Sequence, residues 1–356
     1  MAPSFFACRH QLGEAATGLQ HITLKAALLL CFFLASCSAN LNAKTNLAKN
    51  SWGKLSESFL VHERRPMQGD TCIVAALTEP SKELEVSTSL AGKAVSKTRV
   101  VVPNQPAVHK YVHFFKGKGR LTFVDGLERS WLHLPIMAKI LESHGVPAEL
   151  IYVVLVESSF KSKAMSPGGA GGYWQLLPST ARSMGLRVDR WVDERMDPIK
   201  STGAAAKYLR SLYDRYHSWP LALAAYNAGD GPVLKSIKRC GTKDFWTLCK
   251  GGSLPRITRA YVPKILAAIK IARDLEDNDF QSPRYLPVFD FDSTLVKSPL
   301  KLQQVAEWVN VPVKQLRTLN PSLRRDRLPP NKGFTLRLPP GAKAKFLRAY
   351  EGYLNS

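Results

Sequence analysis

The chain has 356 residues, 45% of them hydrophobic and 22% charged, a globular make-up long enough for roughly two domains. That excludes a mostly disordered chain and a polytopic membrane protein. Charge is the outlier: 50 Lys and Arg against 28 Asp and Glu give +22, which points to nucleic acid, a membrane surface or an acidic polymer as partner. The excess is spread along the chain and is densest in 297–356, without one long Lys/Arg run, so a nucleic-acid-binding arm is not indicated.

Residues 26–36 read AALLLCFFLAS behind Lys25. This run is too short to cross a bilayer as an ordinary helix and fits the apolar region of a secretory signal. It ends Leu34-Ala35-Ser36-Cys37, and small residues before a cysteine resemble the bacterial lipobox. That resemblance implies a leader over 1–36 and a lipid anchor on Cys37; with Ser38 rather than Asp next, it implies the outer membrane. A plain leader with an incidental cysteine is the alternative. After export, Cys72, Cys240 and Cys249 remain. In an oxidising compartment Cys240 and Cys249, flanking GTKDFWTL, are the expected disulfide, with two reduced thiols as the alternative. No His or Cys cluster has zinc spacing, so neither a metal nor another cofactor is expected.

Residues 37–107 are rich in Ser, Thr, Lys, Ala and Pro and read as a tether, with 100–102 a short strand at most. From 108 the character changes. Residues 111–135 carry aromatics and Leu at helical spacing, broken at Gly117 and Gly119. A helix is expected over 135–144, with Pro at its start and Gly145 past its end. Another opens at Pro147-Ala148-Glu149 and continues through LIYVVLV (150–156), which is apolar all round. Such a segment belongs in a core, as a helix or, given its β-branched residues, a strand. Clearer helices occupy 201–217, capped by Ser201 or Thr202, and then 220–229 and 261–276. The block 108–280 therefore reads as a mainly α domain. Residues 281–345 form a second, small α+β unit: two short helices, the latter stopped at Asn320-Pro321, between short strands that close with GFTLRLP.

Glu157 comes directly after the apolar run. An acid there is placed to be partly desolvated, which raises its pKa and suits a general acid near neutral pH. An exposed capping Glu is the plain alternative. The next stretch, SSFKSKAMSPGGAGGYWQLLP (158–178), adds glycines that allow close approach, neutral hydrogen-bonding groups in Ser166 and Gln175, and flat faces in Tyr173 and Trp174 suited to stacking on sugars. It lacks the spacing of a phosphate-binding P-loop. Further on, LALAAYNAGDGPV ends a helix with Tyr226-Asn227, and RITRAYVPKILAAI puts Tyr261 before Pro263 at a helix entry. A core aromatic and a helix cap are the plain readings of Tyr226 and Asn227.

ESSF, SPGGAGGYWQLLPSTA, DPIKSTGAAAKYL, LALAAYNAGDGPV and RAYVPKILAAI occur in the order found in the lytic transglycosylase family with a lysozyme-like (SLT) fold, and the chain resembles that family over about 109–340. The lead-in VHKYVHFFKGKGRLTFVDGLERSWLHLP looks like that of the membrane-bound lytic murein transglycosylase D branch, and the C-terminal unit looks like a degenerate LysM module. The resemblance implies a lysozyme-like helical catalytic domain, a peptidoglycan partner, no nucleic acid and no cofactor. It implies that Glu157 is the single catalytic acid of the ES motif. Ser158, Ser166, Gln175, Tyr226, Asn227 and Tyr261 are then substrate-binding, with Tyr226 hydrogen-bonded to Glu157 or the sugar. Three departures stand out: Ile257 replaces the usual Glu, Tyr173 replaces Leu or Pro, and the LysM-like unit lacks its usual Gly-Asp-Ser/Thr-Leu opening.

Ordinary glycosidases need two carboxylates. Asp193, Glu194 and Asp197 are candidates for a second, but VDERMDP reads more readily as a helix-entry turn. By the family's scheme Glu157 protonates the bond between MurNAc and GlcNAc, then deprotonates the C6 hydroxyl of MurNAc, leaving a 1,6-anhydro ring. A goose-type-lysozyme-like hydrolase and a catalytically weak wall-binding lipoprotein are the alternatives. A basic face at Arg324, Arg325 and Arg327 is where wall binding by the second unit is expected.

Overall fold

A computed structural model describes residues 99–282, 289–330 and 332–356. The expected leader, Cys37, Cys72 and most of the tether lie outside the described residues. The described chain is mainly helical, with one small sheet.

Helix α1 (Pro106–Lys116) starts on a proline and stops at Gly117; α2 (Arg120–Ser130) is next, so the glycine break falls where the pattern puts it. Helix α3 (Leu134–Ser143) also has its proline in the first turn, where a missing N–H costs nothing. A 3-10 turn (Ala148–Ile151) leads into α4 (Tyr152–Ser158), so the apolar run is a helix and not a strand. After the short α5 (Pro178–Ser183) come α6 (Pro198–Tyr216), α7 (Trp219–Ala228), α8 (Asp230–Cys240), α9 (Phe245–Lys250) and α10 (Arg256–Ala272).

Three details differ from the sequence expectations. Residues 100–102 form no strand; Val100 is buried, its N–H donating to Glu149 and its carbonyl accepting from Arg273. The cap of α6 is Asp197, whose carboxylate accepts from the N–H groups of Ile199 and Lys200, whereas Ser201 and Thr202 lie buried inside the helix. Helix α10 begins at Arg256, so Pro263 sits inside it rather than at its entry.

The main core is built around α4. Val153, Val154 and Leu155 are buried against α10 and α2, and α7 closes the other side of α10 with Leu221 to Ala225 all buried. Gly126 of α2 allows the close approach, since a Cβ there would sit 2.3 Å from Leu155 Cδ1. A second core lies in the C-terminal unit. There β1 (Asp292–Val296) pairs antiparallel with β2 (Phe334–Leu338), Asp292 opposite Leu338, and α11 (Leu302–Val309) and α12 (Val313–Leu319) lie between them in sequence. A final helix, α13 (Lys343–Leu354), has no counterpart among the expected elements and crosses the expected boundary at 345; its Phe346 is buried in this core beside Trp308. Phe346→Ala should destabilise the C-terminal unit by about 3–5 kcal/mol, the cost of an emptied aromatic site. Urea unfolding followed by tryptophan fluorescence measures this, and an unchanged midpoint would contradict the packing.

Candidate active site

Glu157 lies in the last turn of α4, at the edge of the main core, and is half-buried. Beyond it the chain reverses through two residues in the left-handed region, Ser159 at φ 49° and Phe160 at φ 57°. Such backbone persists in non-glycine residues only where the surroundings hold it. Here Arg129 of α2 donates to the Ser159 carbonyl at 2.7 Å, and the Phe160 ring is buried. The acid therefore stands on a fixed support.

Its hydrogen-bond partner is Tyr261 of α10, whose hydroxyl donates to Glu157 Oε1 at 2.6 Å. Burial pushes the Glu157 pKa up to about 7, against the opposing pull of that hydrogen bond, and among the described residues no neighbouring carboxylate or cation contributes. Burial and the Glu157 charge together hold the Tyr261 and Tyr226 hydroxyls well above their ordinary pKa, so both stay protonated donors.

Tyr226 is near the acid but not bonded to it. Its hydroxyl donates instead to the Trp174 carbonyl at 2.7 Å, which corrects the expected pairing: Tyr261 holds the carboxyl and Tyr226 holds the glycine-rich loop. Asn227 is the next residue of α7; its side-chain oxygen accepts from Thr258 at 2.9 Å, joining α7 to α10. Ser158, expected to bind substrate, is buried and donates to the Tyr173 carbonyl at 2.8 Å, so it ties α4 to the loop.

The loop (164–176) is folded on itself. Ser166 Oγ accepts from Ala170 N, and the Gln175 amide donates to the Ala164 and Gly172 carbonyls while Gln175 itself sits at φ 48°. Trp174 is fully buried and Tyr173 nearly so, the indole N–H donating to Thr202 of α6. Neither ring is free to stack on a sugar, which overturns that expectation. Gly172 is required by the protein's own packing: at φ 77°, a Cβ would lie 1.8 Å from the Arg195 carbonyl. Beside the Glu157 turn is a cavity of about 440 Å³ lined by Arg129, Phe160, Lys161, Ser162, Lys163 and Ala164.

The candidates for a second carboxylate are otherwise engaged. Asp193 is buried against Arg195, Asp197 caps α6 and pairs with Arg337, and Glu194 bonds Lys200 and the Arg187 N–H. The three are structural, as the turn reading expects. Cys240 and Cys249 are free thiols, so the expected disulfide is not formed. Cys240 ends α8 in an exposed position while Cys249 of α9 packs on the main core, and the two face different surroundings. Among the described residues no cluster of His, Cys, Asp and Glu is arranged to hold a metal.

Residues 135–249 match the Transglycosylase SLT domain, and residues 290–352 match the LysM-like domain of lytic transglycosylase MltD. The chain is 36% identical over 200 residues to the membrane-bound lytic murein transglycosylase D of Escherichia coli strains K12 and O6:H1, a match covering 53% of this chain and 42% of each relative. It thus spans less than half the length of these relatives. Among solved structures, an inactive mutant of lytic transglycosylase Slt from Pseudomonas aeruginosa aligns at 25% identity and TM-score 0.36, over 41% of this chain and 24% of that one.

The raised pKa makes a prediction about stability. Unfolded, Glu157 ionises near its ordinary 4.5; folded, near 7. Its favourable contribution is full below the lower value and is lost as pH rises through the upper one. Glu157→Gln, which keeps an acceptor for Tyr261, should therefore match the wild type at pH 4 and exceed it by up to about 3 kcal/mol at pH 8. Chemical denaturation at both pH values measures the difference; a gap that does not change with pH would count against burial as the cause.

Proposed function

We propose, from the premise that residues 135–249 are an SLT transglycosylase domain and residues 290–352 an MltD-type LysM-like domain, that the protein is a peptidoglycan lytic transglycosylase with Glu157 as its one acid–base group. The carrying observation is that Glu157 is raised to about 7 by burial, held by Tyr261 and, among the described residues, uninfluenced by any other charged side chain. A retaining or inverting hydrolase would set a second carboxylate roughly 5–10 Å away, and a charge that close would weigh on the first. At neutral pH Glu157 is divided between acid and base, which suits a group that must be both in turn.

In this reading Glu157 donates its proton to the glycosidic oxygen between MurNAc and GlcNAc. The departing GlcNAc leaves an oxocarbenium-like centre, which the substrate's own acetamido group or nearby polar groups steady. Glu157, now a carboxylate, takes the proton of the MurNAc C6 hydroxyl as that oxygen attacks the anomeric carbon. The product is a 1,6-anhydro ring and no water is consumed. Tyr261 keeps the carboxyl oriented through both steps. Ser166, Gln175 and Asn227 belong to the groove walls; Ser158 and Tyr226 act through the loop they anchor.

We extend the proposal to the cell envelope: a leader over 1–36, lipid on Cys37, a tether to 107, and residence at the periplasmic face of an outer membrane. The named relatives are membrane-bound, and among the described residues no helix is long and apolar enough to cross a membrane, so attachment by lipid is compatible with both.

Digestion of purified sacculi followed by mass spectrometry tests the reaction. Products should end in anhydro-MurNAc, with no mass of added water; reducing ends would favour the hydrolase instead. Glu157→Gln should slow release by about 10²–10⁴-fold with the fold intact, and near-wild-type lysis would remove the acid from its role.

A further inference from the structure

The C-terminal unit is docked on the turn that holds the active-site loop. Asp193 sits at the centre, 2% exposed, with Arg195 of its own segment and Arg324 of the C-terminal unit both on Oδ2, at 2.8 and 2.6 Å. Arg195, equally buried, uses its remaining guanidinium N–H groups on the Gly169 and Leu176 carbonyls, at 2.7 and 2.9 Å. One chain of charge-assisted hydrogen bonds thus runs from the C-terminal unit to both limbs of the loop that carries Gln175. Backbone bonds seal the contact: Asp193 N donates to the Ser322 carbonyl, and Arg324 N to the Trp191 carbonyl. Val192 is fully buried, and its side chain belongs to the core of the C-terminal unit, not to the main core.

A second path is independent of the first. Arg337 of β2, buried, pairs with Asp197 at 2.8 Å. Asp197 caps α6, and one turn on, Thr202 accepts the indole N–H of Trp174, whose carbonyl in turn accepts from Tyr226. A third contact is apolar: Phe289 packs edge-on against His133, which packs edge-on against Tyr173. The arginines of the expected basic face, Arg324, Arg325 and Arg327, are solvent-exposed and also make contacts of their own. Arg324 holds Asp193, Arg325 lies over the Trp191 ring at 4.9 Å, and Arg327 donates to the Pro299 carbonyl.

We infer that the C-terminal unit is a brace for the catalytic loop, with Arg324 and Arg195 as positioning residues, so that it contributes to cleavage of glycans too short to touch it. The inference rests on the transglycosylase reading for its catalytic consequence, but not for the brace itself. A unit that serves only to bind wall would matter for sacculi and be irrelevant to a short soluble glycan.

The test uses the full chain with Arg324→Ala and Arg324→Lys. Arg324 is 44% exposed, so its loss leaves both cores filled. On a soluble glycan of two disaccharide repeats, Arg324→Ala should lose about tenfold in kcat/KM, mostly through KM because the loop is displaced while Glu157 is not, and Arg324→Lys should recover much of it. Amide hydrogen exchange should quicken in 164–176 in Arg324→Ala while α4 and α10 exchange as in the wild type. Wild-type turnover of the short glycan together with unchanged loop exchange would overturn the brace, whatever happened on sacculi. If the wild type itself cleaved nothing, the transglycosylase reading would fall, and loop exchange would still decide the brace.

Discussion

The burial of α4 is the constraint on which the rest depends. A seven-residue helix whose Val153, Val154 and Leu155 are fully enclosed has no freedom to turn, so the position of its last turn is settled by the core. Glu157 stands on that turn, at the border between apolar packing and the open loop. Desolvation there makes a carboxyl with a pKa near 7 out of an ordinary glutamate, and the same packing delivers α10 and the hydroxyl of Tyr261 to it. Stability and reactivity conflict at this point, because ionising Glu157 weakens the fold that positions it.

Much of this is legible in the order of residues. An all-apolar run ending in a single acid marks both a core segment and a perturbed carboxyl, and the glycine and proline punctuation places α1 to α3, α11 and α12 closely, whereas α13 carries no such signal. The errors share a cause. Tyr173 and Trp174 look like sugar platforms because exposed aromatics in a glycine-rich loop often are, but Thr202 and the packing behind the loop draw both rings inside. Ser201 and Thr202 are good capping types, yet Asp197 precedes the helix proline and reaches the free N–H groups first. The resemblance implies that Tyr226 bonds Glu157 or the sugar, yet both tyrosine rings approach Glu157 and it is the Tyr261 hydroxyl that reaches it. Side-chain direction over a long sequence separation is what pattern reading lacks.

The departure at Ile257 has a physical reading. Its side chain is 75% exposed, whereas the next residue, Thr258, is buried and bonded to Asn227, and Tyr261 one turn on is bonded to Glu157. The inward face of α10 thus keeps its polar contacts, and the altered residue lies on the outward face. An apolar residue at that outward position leaves the surroundings of the acid unchanged. The weakened LysM opening has a similar resolution: the unit matches an MltD-type LysM-like domain, and its core closes through Leu336, Leu338 and Phe346 of the added helix.

The burial of charge between the two cores is harder to explain as stabilisation. Taking Asp193, Asp197, Arg195 and Arg337 out of water carries a desolvation penalty that close pairing only partly offsets, and apolar side chains of similar volume would hold two surfaces together at least as well. Ion pairs supply direction, which apolar contacts do not. Arg195 has a fork of donors in fixed geometry, so fastening one side on Asp193 aims the other at Gly169 and Leu176. A loop rich in glycine has the most conformational freedom to lose on ordering, and its own hydrogen bonds at Ser166 and Gln175 all stay within the loop. An aimed, buried guanidinium, itself anchored from a separate core, fixes both limbs of such a loop at once.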